Sequence, residues 1–177
     1  WVDADILIFD PDRFDIDIDS EYAFCKEVWV LPVKEGKLPI KLQTNNSVTI
    51  FTRNNSFLDF YIYACQSIVR NLGKDFSGLE VGTQFLSQLY RDLRFQRLHD
   101  VGQFSPILCW DIVNGDGAIS AAYIDKVGEP IRAANLCGSF RNRKYGGVLM
   151  DDQFFATVID RLIVSKGDVV NIRQPNS

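Results

Sequence analysis

The sequence lacks long hydrophobic runs, an excess of positive charge and closely spaced cysteines, and each absence argues against a class of protein. No apolar run approaches the roughly 18–20 residues that a membrane span needs. Lys and Arg together number 19 against 23 Asp and Glu, and the resulting net charge of −4 argues against a nucleic-acid binder. The four cysteines form no CxxC pair, which disfavours a zinc site.

The single histidine, His99, is a weak candidate for catalysis. Its side chain titrates near neutral pH, so it is suited to general-base chemistry. It follows several arginines at the end of a basic helical segment, however, where the helix dipole stabilises a cation, and we expect a structural role. No GxSxG motif is present, so the serine-hydrolase class is not indicated.

The hydrophobic pattern predicts a mixed α/β fold. Hydrophobic residues make up 46% of the chain, which is enough to bury a core of normal size. In some segments they alternate with polar residues or form short runs, as in strands, and in others they recur every three or four residues, as in helices. Helices are predicted over residues 57–72, with Ser56 as the cap, from Thr83 to about residue 95, and over residues 151–165, ending at Gly167. Strands are predicted over residues 2–9, 22–26, 28–33, 48–52 and 118–124.

The first 21 residues carry eight acidic side chains. Those from Asp15 onward indicate a solvated loop, because Ser20 and Lys26 replace the glycine and glutamate of a calcium-binding loop. Asp3 and Asp5 differ, since they interrupt an apolar run in which a buried charge is costly without a cation or hydrogen bonds. Residues two apart on a strand point to one side, so the pair predicts either a shared Mg²⁺ or Mn²⁺ ion or a capped turn.

Several segments resemble those of a known family. Residues 1–7 read WVDADIL, which resembles the DXD motif of GT-A-type glycosyltransferases of the DXD sugar-binding family, such as capsular polysaccharide and α-1,4-galactosyl- or mannosyltransferases. Segments similar to those of that family follow in order at residues 45–51, 81–86 and 104–111. The resemblance covers roughly residues 1–140. It implies the C-terminal part of a GT-A-like nucleotide-diphospho-sugar transferase fold, an α/β fold with a mixed sheet and flanking helices.

The resemblance also implies an activity and its site. The enzyme would transfer a sugar from a UDP- or GDP-sugar donor to a glycan or lipid-linked acceptor. Asp3 and Asp5 would be its catalytic residues, holding Mn²⁺ or Mg²⁺ against the donor diphosphate. Asn135 stands where the family carries a histidine, which makes it the third metal ligand, although an amide is a poorer ligand than imidazole. A non-catalytic glycan- or nucleotide-binding domain with a degenerate metal site is therefore the alternative.

Four further residues are candidates for substrate binding, namely Asn45, Asn46, Trp110 and Asp111. An amide side chain donates and accepts hydrogen bonds at once, which suits sugar hydroxyls, and an indole ring can stack on a sugar. A turn or cap made by the asparagines and core packing of the tryptophan are the structural alternatives. A third role for the whole chain is an interaction domain whose acidic loop meets a basic partner.

The abrupt apolar start at Trp1 predicts a piece of a longer chain. The resemblance then implies a single catalytic-type domain over residues 1–177 that lacks its first nucleotide-binding strands. Cysteines in apolar patterns favour the cytoplasm of a bacterium, whereas two N-x-S triplets at residues 45–47 and 54–56 keep a Golgi lumen as the alternative. We expect no nucleic-acid partner, and no membrane span in this segment.

Overall fold

The computed structural model of the chain describes residues 1–14, 20–31, 34, 39–98, 101–127 and 131–166. These residues form a mixed α/β protein, as the hydrophobic pattern predicts. The strands are β1 (Ile6–Ile8), β2 (Tyr22–Val30), β3 (Ile40–Phe51), β4 (Arg97–Leu98), β5 (Val101–Gln103), β6 (Ala133–Asn135), β7 (Lys144–Tyr145) and β8 (Val148–Leu149). The helices are α1 (Ser56–Leu72), α2 (Gly78–Val81), α3 (Thr83–Leu93), α4 (Pro106–Asn114), α5 (Ala118–Val127) and α6 (Asp152–Ser165). None of these described helices is both long enough and apolar enough to cross a membrane.

The chain divides into two compact units. Among the described residues, the first unit holds residues 1–3, 20–27 and 43–98, and the second holds residues 4–14, 28–31, 34, 39–42, 101–127 and 131–166. Strands β2 and β3 contribute residues to both units. That the chain makes up one catalytic-type domain stays a prediction.

The first unit is built on a sheet with the order β3-β2-β4 and a core rich in aromatic rings. Strand β4 runs parallel to β2, with Phe24 opposite Arg97. The Phe24 side chain is fully buried at the centre of this core. Ring contacts surround it, from Tyr22, Phe51, Phe57, Tyr61 and Phe95. Burial of such large rings is a main source of stability for a small unit.

The second unit is built on a sheet with the order β1-β6-β5. Strand β1 is antiparallel to β6, with Ile6 opposite Asn135, and β5 is parallel to β6, with Gln103 opposite the same residue. The core of the unit joins apolar side chains of this sheet with those of α4, α5 and α6. The α6 residues Phe154, Val158 and Leu162 recur at helical spacing and are buried in that core.

All three predicted helices are confirmed, and α3 begins at Thr83 as predicted and ends at Leu93. Helix α1 covers the predicted 57–72 range, but its cap is Asn55, whose side-chain oxygen accepts a hydrogen bond from the backbone N–H of Leu58. Helix α6 covers most of the predicted 151–165 range, and Asp151 caps it in the same way through the N–H of Phe154. The predicted stop at Gly167 lies outside the described residues.

The strand predicted over residues 118–124 is wrong, because this segment is helix α5. Its buried residues Ser120, Tyr123 and Val127 follow helical spacing. Asp111 also favours the helix, since its carboxylate accepts hydrogen bonds from the backbone N–H and the hydroxyl of Ser120 at 2.8 Å each. Small residues such as alanine and serine obscure this period in the sequence.

The strand predicted over residues 2–9 is also wrong in extent. Only Ile6–Ile8 form β1, and residues 4–5 lie in a turn before it. Val2 instead forms an isolated antiparallel bridge with Val48, and the backbone N–H of Asp3 donates to the carbonyl of Ser47 at 2.8 Å. Asp3 and Asp5 therefore do not lie on one strand, and strand geometry does not point their two carboxylates to one side.

Candidate functional site

A surface pocket of about 340 Å³ lies within the second unit, and Asp5 is one of its lining residues. One side is a face of α6, on which one acidic and three apolar residues follow helical spacing. The lining residues are Asp5, Leu136, Gly138, Arg141, Asp152, Phe155, Ala156 and Ile159. The pocket thus combines an apolar floor with two carboxylates and one guanidinium, a composition typical of sites that orient a ligand through a few polar groups.

Backbone contacts hold Asp5 in place before β1. Its carbonyl accepts a hydrogen bond from the N–H of Leu136 at 3.1 Å, and its Oδ2 accepts one from the N–H of Gly138 at 2.8 Å. A Cβ atom at position 138 would lie 3.4 Å from the same Oδ2, an ordinary van der Waals distance, so this contact does not itself require glycine. The other oxygen, Oδ1, accepts no hydrogen bond from the part of the chain that the structure describes. One carboxylate oxygen of Asp5 is therefore oriented by the backbone.

Arg141 and Asp152 form an ion pair on the same pocket. The Nε of Arg141 donates to Oδ1 of Asp152 at 2.5 Å, and its Nη2 donates to Oδ2 at 2.6 Å. These hydrogen bonds raise the pKa of the Arg141 guanidinium and lower the pKa of the Asp152 carboxyl. Both side chains are more than half exposed, which places the pair among surface ion pairs of small net stability.

Asn135 directly precedes the pocket-lining residue Leu136 in the sequence but does not itself line the pocket. The residue is only 6% exposed on β6, and its side-chain oxygen accepts a hydrogen bond from the backbone N–H of Cys137 at 2.8 Å. Its backbone carbonyl accepts another from Phe104 at 2.8 Å. The segment that follows it does lie beside Asp5, through the N–H groups of Leu136 and Gly138. The amide oxygen implied as a metal ligand is therefore engaged in a local turn.

Asp3 belongs to the first unit, and Asp5 to the second. The carboxylate of Asp3 accepts a hydrogen bond from the indole Nε1 of Trp1 at 2.7 Å. The Trp1 backbone pairs in turn with Thr49, whose N–H donates to the Trp1 carbonyl at 3.0 Å. These contacts tie Asp3 to the first unit, with Oδ1 of its carboxylate bonded to Trp1.

The two asparagines predicted to bind substrate have different surroundings in the first unit. Asn45 accepts a hydrogen bond from the N–H of Ser47 at 2.8 Å and donates one to the carboxylate of Glu27 at 2.9 Å. Asn46 is exposed, and its side-chain oxygen lies near Gly82. Asn45 is therefore part of the internal structure, as the turn alternative expected, whereas Asn46 remains accessible to a ligand.

Glu27 is a buried carboxylate that sequence reasoning did not single out. The residue is 2% exposed and accepts hydrogen bonds from Asn45 and from the hydroxyl of Thr83 at 3.2 Å. Thr83 is the first residue of α3, so Glu27 lies at the start of that helix, where negative charge is stabilised. The only signal in the sequence is an acidic residue inside an apolar strand.

Trp110 and Asp111 both lie on α4 in the second unit. Asp111 is 2% exposed and caps α5 through Ser120, so its carboxylate is not accessible to a substrate. Trp110 is half-buried, and its buried Nε1 has no hydrogen-bond partner within the described residues. A Cβ atom at Gly146 would lie 3.2 Å from this nitrogen, so the indole packs against the turn between β7 and β8. Packing, the structural alternative, accounts for its position.

The described residues contain no group of three or more His, Cys, Asp or Glu side chains that could hold a metal ion. A metal with a full set of protein ligands therefore does not fit this part of the chain. Mg²⁺ and Mn²⁺ in phosphate-binding sites are different, because they take one or two carboxylates and fill the remaining positions with water and phosphate oxygens. Asp5 fits that more limited role. His99 and the acidic residues from Asp15 to Asp19 lie outside the described residues.

Comparison with known proteins leaves the family resemblance as an interpretation of the sequence. No family model, no curated protein and no solved structure matches this chain.

Proposed function

We propose that the pocket beside Asp5 binds the diphosphate of a UDP- or GDP-sugar together with Mn²⁺ or Mg²⁺, and that the chain belongs to a metal-dependent glycosyltransferase. The observation that supports this most directly is the position of Asp5. Its carboxylate lines a pocket with one oxygen fixed by the N–H of Gly138, and a guanidinium lines the same pocket. Asp3 enters the proposal from the sequence motif alone.

The residues of the pocket have distinct roles in this proposal. Gly138 orients the Asp5 carboxylate, so little freedom is lost when a ligand binds to it. Arg141 stabilises the negative charge that develops on the leaving diphosphate as the bond to the sugar breaks. The apolar floor, which includes Phe155, packs against the less polar face of a sugar ring. A bound cation would add Lewis-acid stabilisation of the same leaving group.

A second candidate is a domain that binds a glycan or nucleotide without transferring a sugar. Asn135 favours it, because its amide oxygen already accepts the hydrogen bond from Cys137 and the residue is buried. The position that carries a histidine in the resembled family then supplies no ligand to a metal. Binding would persist, and the transfer step would be lost.

The test is calorimetric titration of UDP and of GDP, with and without Mn²⁺, into the wild-type chain and Asp5→Asn. We expect Mn²⁺-dependent binding in the wild type and a loss of at least about tenfold in affinity in the variant. Asp160→Asn is the matched control, because Asp160 is exposed on α6 and does not line the pocket. Equal Mn²⁺-dependent affinity in the wild type and Asp5→Asn would contradict the proposal.

Hydrolysis of the donor separates the two candidates. A transferase breaks down its UDP- or GDP-sugar slowly with water as acceptor, in a reaction that requires Mn²⁺ and Asp5. Binding without any hydrolysis favours the non-catalytic domain.

A further inference from the structure

We propose that Arg141 is the phosphate-binding residue of this pocket and that Asp152 is a built-in competitor which the ligand must displace. The inference deepens the proposed function and names the residue that receives the phosphate. It can nevertheless be tested without any metal ion.

The pocket offers an anion very few hydrogen-bond donors. The N–H of Gly138 already donates to Asp5, and the floor residues Leu136, Phe155 and Ile159 have apolar side chains. Arg141 is the guanidinium on this lining, and its planar fork matches two oxygens of a phosphate. In this structure the same fork is filled by the two oxygens of Asp152. A phosphate and Asp152 therefore need the same donors.

The ion pair is suited to exchange because it is exposed. The side chains of Arg141 and Asp152 are 59% and 73% exposed, so water screens their attraction and solvates each partner after separation. A phosphate carries more charge than a carboxylate and also gains contact with the pocket. Exchange of Asp152 for phosphate thus conserves the hydrogen bonds of Arg141 while releasing a carboxylate to water.

The backbone on both sides of the pair is held independently of it. The N–H of Arg141 donates to the carbonyl of Gly138 at 3.0 Å, and the hairpin that follows is closed by the N–H of Asn142 to the carbonyl of Met150 at 2.9 Å. Asp152 is the first residue of α6, whose cap is its neighbour Asp151. Only the two side chains need to move, and either can be replaced while the helix cap remains.

Whether Asp5 opposes or favours phosphate binding depends on a bound metal ion. Without a cation, its negative charge lies on the same pocket and opposes an incoming phosphate. With Mn²⁺ bound to it, the same residue attracts phosphate. In EDTA, we therefore expect Asp5→Asn to bind pyrophosphate at least as tightly as the wild type. In Mn²⁺, the proposed function predicts that Asp5→Asn binds UDP or GDP more weakly than the wild type. The two results are independent, so failure of one is distinguishable from failure of the other.

The experiment is titration of inorganic pyrophosphate in EDTA, followed by NMR or calorimetry, into the full chain and its variants. Asp152→Asn should bind at least about threefold more tightly than the wild type, because the competitor is removed. Arg141→Gln should lose this binding, and the double variant should bind as weakly as Arg141→Gln. Lys144→Gln is the control, since it removes one positive charge from an exposed residue outside the pocket lining.

Sulfate and acetate serve as comparison anions. If Arg141 is a phosphate-binding residue, pyrophosphate should bind more tightly than either. Unfolding curves confirm that each variant is folded. The proposal is overturned if folded Asp152→Asn binds pyrophosphate no more tightly than the wild type, or shows no binding at millimolar concentrations. It is also overturned if Arg141→Gln binds as well as Lys144→Gln.

Discussion

Asp111 on α4 caps the neighbouring helix α5 through Ser120. One oxygen of its buried carboxylate accepts hydrogen bonds from both the N–H and the hydroxyl of Ser120, at 2.8 Å each. The N–H of Ser120 belongs to the first turn of α5, where the helix leaves its donors unpaired. This contact explains why residues 118–127 form a helix.

Removal of the Asp111 carboxylate should therefore destabilise the second unit. Asp111→Ala leaves two buried donors of Ser120 unpaired, and we expect a loss of about 2–3 kcal/mol in the free energy of unfolding. Asp111→Asn keeps one acceptor oxygen and should lose less. Urea unfolding followed by circular dichroism measures both. Equal stability of Asp111→Ala and the wild type would show that the cap contributes nothing.

Asn45 should matter for stability and its neighbour Asn46 should not. Asn45→Ala removes the hydrogen bonds to Glu27 and Ser47 and leaves a buried carboxylate less satisfied, at a cost of about 1–3 kcal/mol. Asn46→Ala changes an exposed side chain and should stay within about 0.5 kcal/mol of the wild type. Chemical denaturation of both variants checks the difference. The reverse order would mean that Asn45 is not structural.

Tyr61 should make the first unit less stable at alkaline pH. Burial, with a smaller contribution from Cys65, raises the pKa of its hydroxyl, which donates to the carbonyl of Val81 at 2.6 Å. The unfolded chain releases this proton near pH 10, and the folded chain holds it to higher pH. Stability from this group is therefore fully present below pH 10 and is lost as the pH rises above it.

The measurement is the free energy of unfolding between about pH 8 and pH 11, for the wild type and Tyr61→Phe. Other buried groups titrate in both chains, so the difference between the curves isolates Tyr61. We expect a steeper alkaline fall in the wild type. Parallel curves would contradict the prediction.

The turn between β7 and β8 should require glycine at position 146 more strictly than at position 147. Both residues have positive φ angles, +55° and +82°, so alanine is strained at either. A Cβ at 146 also lies 3.2 Å from Nε1 of Trp110, whereas one at 147 has no neighbour within 4 Å. We expect Gly146→Ala to lose about 1–3 kcal/mol and Gly147→Ala to lose less. Thermal unfolding gives the order, and tryptophan fluorescence should change only in Gly146→Ala.

The sequence by itself determined the features that depend on local spacing. The apolar periods of α1 and α6 were readable because each helix keeps its apolar residues on one side along many consecutive residues, fully buried in α6 and partly buried in α1. The mixed α/β class followed from the same periods. Asp5 was recognisable as a candidate because a carboxylate in an apolar run is costly without a partner.

Tertiary structure decided the extent of β1, the nature of residues 118–127 and the composition of the pocket. Residues 1–3 pair with β3 instead of extending β1, and α5 depends on a cap supplied by another helix. The partner of Asp5, Gly138, is 133 residues away in the chain, and Asp152 contacts Arg141 across the hairpin that lies between them in the sequence. Hydrophobic spacing reports only on neighbours in sequence, whereas these contacts arise when separate segments pack around a shared core.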